Sequence, residues 1–98
     1  MRSRTLAVWR ASSKGTEIRL SIHRDTGAIL KIKRPGIPET RVEIDLGNVG
    51  STVDQFQAIG GDPAKFQAFV NAAESAYQLQ HEQLGKPFPD FFGATLQA

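Results

Sequence analysis

The feature that most constrains this chain is a two-residue alternation in its first half. In TEIRLSIHR (16–24), Ile18, Leu20 and Ile22 alternate with Glu17, Arg19, Ser21 and His23. Successive side chains of a strand point to opposite faces, so this spacing predicts a strand with one buried and one wet face. In AILKIKR (28–34), Leu30 and Ile32 alternate with Lys31 and Lys33. The intervening Asp25-Thr26-Gly27 is turn chemistry, with Gly27 free to take a positive φ, so the two runs form a hairpin. In TRVEIDL (40–46), Val42, Ile44 and Leu46 point inward and Arg41, Glu43 and Asp45 outward. Pro35-Gly36-Ile37-Pro38-Glu39 is the break before it, because proline donates no ladder hydrogen bond. An earlier strand is expected over TLAVWR (5–10), followed by a polar loop, ASSKG. Short connections between consecutive strands favour an antiparallel meander.

After Leu46 the period changes. GNVGS reads as a loop, with Ser51 as N-cap of a short helix that places Val53, Phe56 and Ile59 on one side and ends at Gly60. A longer helix follows: Asp62 caps it, Pro63 suits its first position, and Gly85 follows its end. Its buried stripe is Phe66, Phe69, Val70, Ala73, Ala76 or Tyr77, and Leu84. The expectation is an α+β single domain over 1–98, ordered ββββαα: sheet 5–46, helices 51–84 packed on one face, and an extended tail 86–98.

Composition narrows the chemistry. With no cysteine there is no disulfide framework, thiolate zinc site or cysteine nucleophile. His23 and His81 stand in different elements with no second ligand at metal spacing. The serines form no nucleophile elbow, and neither GNVG nor IGGD matches a phosphate-binding loop. The acids are dispersed, so no paired-carboxylate site is argued. No enzyme, cofactor or metal is expected. No apolar run is long enough for a membrane span, and Leu6–Trp9 is too short for a signal-peptide core, so the expectation is a cytoplasmic protein.

Charge is the remaining signal. Residues 1–50 carry ten Lys/Arg against five Asp/Glu, a balance of +5, whereas residues 51–98 carry two lysines against five acids, −3. With Leu6 and Val8 assigned to the core, the outer sheet face collects Trp9, Arg19, His23, Lys31, Lys33 and Arg41, with Arg10 and Arg34 at strand ends. Cations interleaved with aromatic rings suit single-stranded nucleic acid: phosphates are neutralised and bases stack. Trp9 is the stacking candidate, His23 a lesser one, and Arg10, Arg19, Lys31, Lys33, Arg34 and Arg41 the phosphate candidates. The same cations also suit an ordinary solvated face that resists edge pairing.

Four strands followed by a long helix, with the cations on the strands, resembles Whirly-type single-stranded-DNA-binding domains in outline over 5–84. The resemblance rests on element order alone and implies nucleic acid on the sheet. The extra short helix after the fourth strand departs from it, and no motif residue carries over.

The alternative is a small protein-binding inhibitor or adaptor of the phage or mobile-element type, an anti-defence protein for example. It would act through the charged face or through Phe88, Phe91 and Phe92 of the tail PFPDFF, docked on a host or partner protein. Ala72, Ala73 and Ala76, flanked by Phe69 and Tyr77, offer a small-residue surface for a second helix, so a homodimer through the long helix is also expected.

Overall fold

The computed structural model describes residues 5–82, with side chains described through Gln80. Four strands, β1 (Thr5–Ser13), β2 (Thr16–His23), β3 (Gly27–Arg34) and β4 (Ile37–Ile44), form one antiparallel sheet in sequence order. A 3-10 turn (Leu46–Asn48) leads into α1 (Val49–Ala58), and α2 (Pro63–Glu82) follows. The α+β architecture of four strands, a short helix and a long helix agrees with the alternation in the sequence.

β1 and β4 depart from the sequence pattern at their ends, and β4 stops at Ile44, so Leu46, expected inward, is exposed. β1 continues through Ser13, and the expected five-residue loop shrinks to a two-residue turn, Lys14-Gly15, with φ of 50° and 85°. Positive φ at both positions matches the right-handed twist of the flanking strands, which is why such hairpins are tight. β4 begins at Ile37, so the break after β3 is only Pro35-Gly36, with Gly36 at φ 70°. Pro38 is tolerated inside β4 because that strand lies at the sheet edge. Gly27 is required where it stands: its φ is +119°, and a Cβ there would meet the Ile44 carbonyl oxygen at 2.1 Å. The end of β4 thus closes directly against the start of β3.

The core lies between the inner sheet face and the helices. Ile18, Leu20, Ala28, Leu30, Ile32, Val42 and Ile44 meet Phe56, Ile59, Phe66, Phe69, Val70, Ala72, Ala73 and Ala76. Phe56 and Phe69 meet edge to face, with ring centroids 5.4 Å apart. Asp62 caps α2, its carboxylate accepting from the Ala64 N–H at 2.9 Å. Ser51 is not a cap. α1 begins two residues earlier, after Asn48, and the Ser51 hydroxyl donates back to the Asn48 carbonyl at 3.1 Å. Thr52, fully buried, donates to the same carbonyl at 2.8 Å, so its hydroxyl is satisfied.

The alanines expected to seat a second helix are buried against the chain's own sheet, as is Phe69. Their small size lets α2 approach the sheet closely, and a dimer through that surface would require opening the core. On α2, Lys65, Gln67, Asn71 and Gln78 are exposed instead.

The two sheet edges differ. Gln80, although polar, is only 6% exposed. Its amide donates to the Glu43 carbonyl at 2.6 Å and accepts from the Glu43 N–H at 3.3 Å. One side chain thereby occupies both edge-facing backbone groups of Glu43, near the C-terminal end of β4. On β1, Leu6 is 60% and Val8 41% exposed, and a bulge interrupts the register between Thr5 and Ala7.

Candidate nucleic-acid interface

The site is built by register. Arg10 lies opposite Arg19, Arg19 opposite Lys31, and Lys31 opposite Arg41. One cation from each strand therefore stands abreast of the next, across the full width of the sheet. At the inter-strand spacing of about 4.8 Å, the row spans about 14 Å. Side chains directly opposite each other on adjacent strands interact, and like charges in that relation are destabilising. Acids are not interposed. Among the described residues, salt bridges join Arg34 to Glu74 and Arg24 to Asp25, and none involves a member of the row.

The neighbouring rows on the same face have different chemistry. Toward the β1–β2 turn lie Ser12, Glu17 and Lys33, cross-strand partners in that order, with Glu39 nearby. Arg10, Glu17, Arg19, Lys31, Lys33 and Glu39 together line a shallow depression of about 200 Å³. On the other side lie Val8, Ser21, Ile29 and Glu43, again abreast. The row is thus bordered by a mixed-charge line and by a largely uncharged line with one acid at the β4 edge.

Two candidates leave this face. Trp9 lies opposite Leu20 and is packed against the core, with Val8 exposed in its place. Burying the indole removes far more apolar surface from water than burying valine, and a one-residue shift exchanges the two faces. Trp9 is therefore not a stacking ring on the outer surface. Arg34 also turns inward: its guanidinium donates to the Glu74 carboxylate on α2 at 2.7 Å. It ties β3 to the helix and is committed to that acid.

Arg10, Arg19, Lys31, Lys33 and Arg41 remain on the outer face. His23 remains there too, its Nδ1 3.5 Å from the Thr5 hydroxyl. Sequence reasoning named the members of the row without their alignment, and missed Gln80 as the β4 edge cover. The signal for alignment was the Lys14-Gly15 pair, since a two-residue turn fixes which residues of β1 and β2 face each other. Phe88, Phe91, Phe92, Leu84 and Gly85 lie outside the described residues, as does the side chain of His81.

Among the described residues, no group of three His, Cys, Asp or Glu side chains is placed to hold a metal ion. No helix among them is long and apolar enough to cross a membrane. Comparison with known protein families, with curated proteins and with solved structures finds no match. The likeness to Whirly-type domains is therefore one of element order alone.

Proposed function

We propose that this protein is a non-catalytic nucleic-acid-binding protein that takes the phosphate backbone on the outer face of its sheet. The observation that carries this reading is the Arg10–Arg19–Lys31–Arg41 row, four cations abreast with no acid among the described residues bonded to any of them. A row of mutually repelling charges is relieved by a polyanion, whose condensed counterions are released on contact. Lys33 and the depression beside the row extend the same surface. With Trp9 inside, binding rests mainly on charge, and His23 is the ring left on that face among the described residues.

The test is fluorescence anisotropy of labelled oligonucleotides with the full chain across a salt series. Log affinity is expected to fall linearly with log salt, and Lys31→Gln to make the slope shallower. Absence of binding at about 50 mM salt overturns the reading.

A second reading has its own support. Val8 is 41% exposed beside the cations, and an apolar position next to a basic row suits a partner protein with an acidic, partly apolar surface. An inhibitor or adaptor of that kind predicts capture of a partner that survives nuclease and is lost with Arg10→Glu.

A further inference from the structure

The outer face differs on the two sides of its cation row and along the row's length, and both differences bear on the form of the ligand. Resting on the nucleic-acid reading, we propose that the ligand is a single strand laid across the sheet, perpendicular to the β-strands. Its backbone follows Arg10, Arg19 and Lys31, and its bases turn toward Val8 and Ile29.

The first argument is width. A duplex presents two phosphate backbones across a groove of about 6 or 12 Å, so gripping both from one flat face needs two parallel lines of cations. Rows on one face of a strand are two residues apart, about 6.7 Å, so a second line for the wider groove would lie two rows away. Two rows in one direction are the turns at Lys14-Gly15 and Pro35-Gly36, where Lys14 is the lone cation. Two rows in the other are Thr5, His23 and Gly27. The nearer rows, Ser12/Glu17/Lys33 and Val8/Ser21/Ile29/Glu43, are not cationic lines either. One line of cations, one residue wide, fits one backbone.

The second argument is the side on which bases rest. Beyond the row toward the turns stand Glu17 and Glu39 with Lys33. Toward Val8, Ser21 and Ile29 there is no charge until Glu43 at the β4 edge. Apolar and hydroxyl side chains accept the flat faces of bases without desolvating a carboxylate. The bases therefore favour the Val8–Ile29 side.

The third argument is a gradient along the row. On its own strand and face, Arg41 stands between Glu39 and Glu43, each two residues away. Arg10 stands between Val8 and Ser12, and Lys31 between Ile29 and Lys33. Arg19 stands between Glu17 and Ser21, with one acid beside it. The potential is therefore strongest at β1 and β3, lower at β2 and weakest at β4, where two acids partly cancel the cation.

The experiment measures anisotropy with a single-stranded oligonucleotide and the duplex of the same sequence, across a salt series. It uses the wild-type chain and Arg10→Gln, Lys31→Gln, Arg41→Gln and Ile29→Thr, each first shown by urea unfolding to be fully folded under the binding conditions. The expected result is tighter binding of the single strand. Arg10→Gln and Lys31→Gln each make the salt slope shallower by about 0.7, the value of one single-strand phosphate contact. Arg41→Gln changes it less, and Ile29→Thr weakens affinity several-fold with the slope unchanged. Binding the duplex as tightly as the single strand overturns the proposal, as does a slope change for Arg41→Gln equal to that for Lys31→Gln. Either result leaves the nucleic-acid reading standing if the row variants still weaken binding. Failure of the wild-type chain to bind either oligonucleotide at about 50 mM salt overturns both.

Discussion

The two faces of the sheet are made by the same strands and obey opposite rules. On the inner face, neighbours across strands are complementary: Leu20 meets Leu30, Leu30 meets Val42, and the helices seal what remains. On the outer face, the row through Arg10, Arg19, Lys31 and Arg41 sets like against like. Stability of a sheet accrues from favourable cross-strand pairs, so the inner face is where folding free energy is gained. The outer row adds nothing of that kind. A feature that opposes stability while remaining wet is where a ligand can act at little expense to the fold, because repulsion in the free protein becomes attraction for an anion.

The sharpest way to break the contrast is to cut the inner face. Leu30→Ala, at a fully buried position, is expected to lower unfolding free energy by about 2–5 kcal/mol, read from urea denaturation. Next comes Gly27→Ala. Positive φ alone disfavours an L-residue by about 1–2 kcal/mol. The Ile44 carbonyl in the path of the new Cβ adds to this, so the denaturation midpoint should fall further than the φ penalty accounts for.

Gln80→Leu keeps the bulk at that site and strips the amide from Glu43, with an expected loss of about 1–3 kcal/mol for the backbone groups left without it. The same variant uncovers the β4 edge at Glu43. Light scattering should show faster aggregation than for an equally destabilised core variant, and equal rates would refute the edge-cover role. Smallest of all is the outer face: Lys31→Gln should move stability by no more than about 0.5 kcal/mol, and in the stabilising direction at low salt. If binding then falls while stability holds, the division of labour between the faces is sharpened. If Lys31→Gln instead unfolds the protein, the division is wrong.

Much of this was legible in local sequence. The alternation at Ile18-Leu20-Ile22, at Leu30-Ile32 and at Val42-Ile44 identifies three strands and their buried face, because period-2 burial is carried within each segment. Asp62-Pro63 marks the start of α2 for an equally local reason, an accepting side chain followed by a residue that needs no donor partner. β1 was harder. TLAVWRASS has apolar residues on both alternating sets, Leu6 and Val8 on one, Ala7, Trp9 and Ala11 on the other, so periodicity does not choose a face. Tertiary packing chose the set with Trp9, which leaves Leu6 and Val8 exposed. Ser51 failed as a cap because helical structure begins earlier, at a 3-10 turn with no sequence signature of its own.

The sequence by itself determined that the sheet would be two-faced and that the charge on its strands would be predominantly positive. Both are properties of spacing within short segments, where each side chain's direction follows from its neighbours along the chain. Apart from the β1–β2 alignment, which the Lys14-Gly15 turn signals, tertiary structure decided which cations stand together on the outer face. Hairpin register set Arg10, Arg19, Lys31 and Arg41 abreast, and α2 withdrew Arg34 by offering Glu74 from forty residues away. Alternation is a local quantity, whereas register and ion pairing depend on segments that meet only when the chain is folded.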